Sequence, residues 1–105
     1  MDIFCKIASG EVGKDFIYED EELMVFEDIH PEKPVHLLIV PKKHVVDFID
    51  VEDHSLFQKI MKVAQKMVKE KGLVGKGYRL KVNGGGHQLV DHLHFHLIGP
   101  MEKAK

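Results

Sequence analysis

The sequence predicts an α+β fold: a five-stranded antiparallel sheet with a short N-terminal helix and one long amphipathic helix. Three observations predict it. One long segment repeats its apolar residues every three or four positions, whereas five others alternate or run apolar throughout, as strands do. The elements follow in the order short helix, three strands, long helix, two strands. The connections between neighbouring strands are short, which favours antiparallel pairing, with helices expected on one face of the sheet.

In "DIFCKIA" the apolar residues Ile3, Phe4 and Ile7 have helical spacing, and the pattern stops before Ser9-Gly10. "DFIYEDEELMVFEDI" divides into strands near 15–19 and 23–28, with Asp20-Glu21-Glu22 as the turn. The apolar run 35–40, bounded by Pro34 and Pro41, predicts a buried strand. From Ser55 to Lys71, Leu56, Phe57, Ile60, Met61, Ala64, Met67 and Val68 form one stripe and lysines occupy the remainder, so this is the amphipathic helix. Asp50 or Asp53 could cap its start, and Gly72 suits its end. "GYRLKVN", 77–83, alternates as a strand. A glycine run follows, and a last strand is expected at about 90–98.

A chain of 105 residues fits one domain. Its 15 basic and 17 acidic residues are mixed along the sequence, so no basic stripe predicts a nucleic-acid partner. No apolar run approaches a membrane span, and the start lacks the pattern of a signal peptide. The single cysteine, Cys5, allows no intrachain disulfide. Together these features predict an intracellular, cytoplasmic protein with no membrane partner.

The stretch "DHLHFHLIGP", 91–100, carries the chemistry. On a strand His92, His94 and His96 would share one face, while Leu93, Phe95 and Leu97 would enter the core. A row of imidazoles beside a dry core is costly unless something satisfies or uses it. Two uses compete: a metal chelate, and nucleophilic catalysis in which one imidazole attacks while its neighbours move protons. His36 and His44 add two further imidazoles nearby. "NGGGHQ", 83–88, is either a hairpin turn or a loop whose bare amides meet an anion. A phosphate held there by Asn83 and Gln88, facing an imidazole nucleophile, would explain both segments. Metal binding would explain only one.

"HLHFHLI" resembles the His-X-His-X-His-X-X signature of the histidine triad family, with X apolar. "IFCKIASGEV", "MVFEDIHPEKPVHLLIVPKKH" and "GYRLKVN" also resemble segments of its Hint branch, so the likeness covers nearly the whole chain. The resemblance implies the corresponding HIT-like fold, a homodimer joined through its sheets, and binding of purine nucleoside monophosphates. It implies hydrolysis at the α-phosphate, typically of a phosphoramidate. By the same resemblance His94 is the nucleophile and forms a nucleotidyl-histidine. His96 contacts the phosphate and leaving group, and His92, His36 and His44 act as a relay. Asp28 accepts from the ribose hydroxyls. Ile3, Phe4, Ile7, Phe26 and Ile29 line the purine slot, and Asn83 lies near the phosphate. Phe4 and Phe26 read equally well as plain core.

Three departures bear on these expectations. Hint-like members usually read Gly-Gln-Ser or Gly-Gln-Thr before the triad, where this chain has His87-Gln88-Leu89. Leu89 removes a hydroxyl donor that His87 could replace, and its loss leaves open a nucleotide-binding module with little catalysis. The glycine loop is about two residues shorter than in similar members, and a longer C-terminal tail is expected to be missing. Some bacterial members hold a structural zinc with Cys-X-X-Cys and two histidines that match His44 and His92. Asp2 and Cys5 could complete such a set here, but a carboxylate is less usual in a closed structural site. No cofactor or metal is therefore expected to be required.

Overall fold

A computed structural model describes residues 1–102. Helix α1 (Ile3–Ala8) precedes strands β1 (Tyr18–Glu19), β2 (Leu23–Glu27) and β3 (Val35–Pro41). A 3-10 turn (Phe48–Asp50), helix α2 (Ser55–Glu70) and strands β4 (Arg79–Val82) and β5 (Phe95–Gly99) follow. The sheet has five antiparallel strands in the order β1-β2-β3-β5-β4, in agreement with the fold class read from the sequence.

The helices lie on opposite faces, not on one. Against α2 pack Leu23, Val25, Leu37, Ile39, Leu93, Phe95 and Leu97, together with the helix residues Ile60, Val63, Ala64 and Met67. Against α1 pack Met24, Phe26, Leu38 and Val40, which meet Phe4 and Ile7. The physical reason is that β2 and β3 are apolar at nearly every position, so both faces of these strands need cover. A fully buried side chain such as Ile60 or Met67 contributes about 1.5–3 kcal/mol of transfer free energy.

Asp53, not Asp50, serves the start of α2, accepting from the Ser55 amide at 3.0 Å. Asp50 instead belongs to the 3-10 turn. Gly72 ends the helix with φ +68°, and the Leu73 amide reaches back to the Val68 carbonyl at 2.9 Å. Val63 joins the buried stripe, and Met61 lies exposed at its rim.

The last strand is shorter than expected. Its ladder begins at Phe95, which pairs with Ile39 and Val82, so His92 and His94 precede the strand. The Leu93 amide instead donates to the Val45 carbonyl, and the His92 amide turns onto the Val90 carbonyl. The first strand likewise contracts to two residues, because Asp15–Ile17 pair only through the Ile17 amide, bonded to Val25. The alternation of faces still holds: Leu93, Phe95 and Leu97 enter the α2 core, and the imidazoles turn to the α1 side. Among the described residues no helix is long and apolar enough to cross a membrane. A tail after Lys105 lies outside the described residues.

Candidate active site

His94 is buried, with its ring 5.1 Å from Phe4 and 4.9 Å from His96, centroid to centroid. Its Nδ1 lies 2.8 Å from the His92 carbonyl oxygen. A carbonyl only accepts, so Nδ1 carries the proton and the neutral ring presents its lone pair at Nε2. Burial lowers the His94 pKa below the usual histidine value, a shift opposed by the bond to the His92 carbonyl. The ring is therefore neutral and nucleophilic at neutral pH.

The state of His96 is fixed through a chain that begins at the backbone. The Glu32 amide donates to Nδ1 of His36 at 3.1 Å, so the His36 proton sits on Nε2. That Nε2 lies 2.9 Å from Nδ1 of His96 and 3.4 Å from Asp28 Oδ2. His96 accepts at Nδ1 and keeps its own proton on Nε2. This atom is buried and has no partner among the described residues. Burial first, then the neighbouring His94 and His36, pushes the His96 pKa down to about 4. His96 thus offers a neutral N–H donor with nothing to receive it. The same tautomer argues against a metal among Asp28, His36 and His96, because the Glu32 amide leaves His36 no lone pair at Nε2.

The expected relay of His92, His36 and His44 separates into two groups. His36 serves His96, but His92 and His44 turn away toward Asp2 and Cys5. His92 supports His94 only through its carbonyl. The side chain of His92 is wholly buried and donates from Nε2 to the Pro41 carbonyl at 2.7 Å. Its Nδ1 then faces Asp2 Oδ2 at 3.2 Å and Cys5 Sγ at 3.5 Å. Nδ1 of His44 lies 2.9 Å from the same carboxylate oxygen and 3.3 Å from the sulfur. Oδ2 and Sγ are 3.6 Å apart. Ligand atoms around tetrahedral zinc, with bonds of about 2.0–2.3 Å, stand roughly 3.3–3.8 Å from one another. The mixed N, O and S donors suit such an ion. The spacings lie near that range except for the His44–Asp2 pair, which at 2.9 Å is closer and would open as the half-exposed His44 moved onto the ion. Burial, then the charge of Asp2, raises the Cys5 pKa.

The glycine loop is a braced turn rather than an open cradle. The Gly85 amide donates to Asp47 Oδ2 at 2.8 Å, the Gly86 amide to Gln88 Oε1 at 2.9 Å, and the His87 amide to the Gly84 carbonyl at 3.2 Å. Gln88 is buried and also donates to the Val46 carbonyl at 3.2 Å, so it holds the loop and is not free for a phosphate. An added methyl at Gly84 would collide with the Asp47 carboxylate, and Gly85 and Gly86 have positive φ, so glycine is needed here for the turn. His87 is exposed and Leu89 fully so, while Asn83 is half-buried just after β4.

In the expected purine slot, Phe4, Ile7 and Phe26 are buried in the α1-side core, and only Ile3 and Ile29 are exposed. Asp28 accepts from the His30 amide at 2.8 Å through Oδ1, beside its contact with His36. Several contributors have no signature in the sequence. The Glu32 amide and the Pro41 and Val46 carbonyls are backbone groups, and Asp47 is an ordinary loop carboxylate until folding brings it to Gly85.

Comparison with known proteins gives one picture. The model of the HIT domain family matches residues 9–103. An uncharacterized HIT-like protein of Chlamydia muridarum is 44% identical over 101 residues, covering 92% of this chain and 79% of that protein. The crystal structure of a HIT family hydrolase from Legionella pneumophila superposes with a TM-score of 0.89 at 43% identity, covering 95% of this chain and 93% of that one. The histidine triad nucleotide-binding protein of Candida albicans superposes with a TM-score of 0.84 at 33% identity, covering 100% and 85% of the two chains.

Proposed function

The chain belongs to the HIT domain family, and from that premise we propose that it hydrolyses purine nucleoside 5′-phosphoramidates or related nucleotidyl conjugates. One observation carries the reading: an imidazole locked with its lone pair outward stands beside a second imidazole with an unpartnered N–H. The first suits a nucleophile and the second a donor to a phosphoryl oxygen or a leaving nitrogen. In the proposed reaction Nε2 of His94 attacks phosphorus, a nitrogen–phosphorus bond forms, and the bond to the leaving amine breaks. The amine departs with a proton, and water then cleaves the nucleotidyl-histidine. Asp28 would hold the ribose, and Ile3 and Ile29, above the floor of Phe4, Ile7 and Phe26, would meet the base.

The test is turnover of an adenosine phosphoramidate across pH. Attack needs neutral His94, and a lowered pKa extends its neutral range toward acid. The acid limb of kcat/KM is expected below pH 6.5, the ordinary histidine value. No turnover, or a limb at or above that pH, would contradict the reading.

A nucleotide-binding module with weak chemistry is the second reading. It is favoured by the engaged loop amides and by Leu89, which offers no donor.

A homodimer is part of the proposal. It is supported by β4, which lies at the sheet edge, beside a groove lined by Met61, Val68, Val74, Tyr78 and Leu80. Light scattering on purified protein should give twice the chain mass; a monomer at micromolar concentration would remove it. An intracellular site of action accords with the single free cysteine.

We also propose that Asp2, Cys5, His44 and His92 hold a zinc ion, which would supply a cross-link among three separate parts of the chain. Their donor geometry supports this, against the initial expectation from the carboxylate.

A further inference from the structure

We infer that Asp2 makes metal binding and the docking of α1 over the triad a single event. The inference rests on the metal reading above and is independent of hydrolase activity.

The two carboxylate oxygens of Asp2 have different tasks. Oδ1 accepts from the Cys5 amide at 2.7 Å and so caps α1. Oδ2 points into the Cys5, His44 and His92 group. A helix of six residues has little stability of its own and forms only when held. This one is held by Phe4 and Ile7 on the sheet and by whatever fixes Asp2 and Cys5. Phe4 in turn lies edge-on to His92 and His94, so the position of α1 is the position of one wall of the site.

A cation would change the balance at this clasp. His92, donating to Pro41 from Nε2, turns Nδ1 toward a carboxylate oxygen 3.2 Å away. A divalent ion in place of any proton between them would bind the Nδ1 lone pair and the carboxylate oxygen together, with the sulfur and His44. A thiolate at position 2 could bind an ion but would cap the helix poorly, since good caps carry a side-chain oxygen. With aspartate, the residue that starts the helix is also the residue that grips the metal. A divalent ion of borderline softness, zinc or cobalt, fits one oxygen, one sulfur and two nitrogens.

The experiment uses the whole chain without a histidine tag. Cobalt titration should show one ion per chain, with a thiolate-to-cobalt charge-transfer band and tetrahedral visible bands. Hydrogen exchange of residues 3–8, measured on the zinc-loaded protein, should accelerate by about tenfold or more after chelation, while exchange in α2 stays unchanged. Asp2→Ser keeps a capping oxygen and removes the ligand. It should weaken metal binding by at least about tenfold and leave exchange in α1 insensitive to metal. If the wild type binds neither cobalt nor zinc, the metal reading fails and the inference with it. If cobalt binds with its thiolate band but α1 exchanges equally with and without metal, or if Asp2→Ser binds as tightly as the wild type, the inference alone is overturned. The wild-type comparison stands even if the variant fails to fold.

Discussion

His94→Ala is expected to lower turnover of an adenosine phosphoramidate by about four orders of magnitude or more, because removing a nucleophile removes the covalent route itself. The substitution deletes the only imidazole whose Nδ1 is locked on the His92 carbonyl and whose Nε2 lone pair is thereby exposed to attack. Nucleotide binding should persist, since Asp28, Ile3 and Ile29 are untouched. Single-turnover kinetics, with mass spectrometry for a nucleotidyl adduct, separates the two effects. The wild type should show the adduct and the variant should not. Equal turnover in both proteins would remove His94 from the mechanism.

Leu89→Ser is expected to raise kcat/KM by about ten- to a hundredfold, the scale on which a preorganised donor at a developing charge acts. The position suits the test. Leu89 is 100% exposed, so replacing it should alter stability by no more than about 0.5 kcal/mol, and a change in rate reports chemistry. The loop around it is already braced by Asp47 and Gln88, so the added hydroxyl would sit on a fixed turn. Steady-state kinetics of the two proteins decides the matter. An unchanged rate would show that the missing hydroxyl is not what limits catalysis, and would remove Leu89 as a ground for the binding-module reading.

Periodicity made the sheet and α2 legible, because the residues that form them repeat at the spacing of their own secondary structure. The triad was legible too: its alternation assigns Leu93, Phe95 and Leu97 to one face and the histidines to the other. What could not be read is where side chains point once they leave that face. His44 and His92 are histidines like His36, but Pro41 and Cys5 draw them to a different group. The glycine run looked open because sequence does not show that Asp47, 38 residues from Gly85, returns to fill it. The strand limit near residue 90 failed for a similar reason. Hydrophobic alternation continues through Leu93, but the ladder partners end at Phe95. Helices on both faces followed from β2 and β3 being apolar on both sides, a pattern present in the sequence.

That early end of the ladder has a mechanical meaning. Phe95 is clamped on both flanks, whereas His94, one residue earlier, hangs beyond the last rung. A phosphorus atom undergoing in-line displacement travels toward its attacker as the old bond lengthens. The tether is held from the side instead, since Leu93 is buried with its amide on the Val45 carbonyl and His92 is wholly buried against the Pro41 carbonyl. The sheet anchors Phe95 and the carbonyls of Pro41 and Val45 anchor the overhang, so in the proposed reaction the phosphorus would travel to a stationary imidazole.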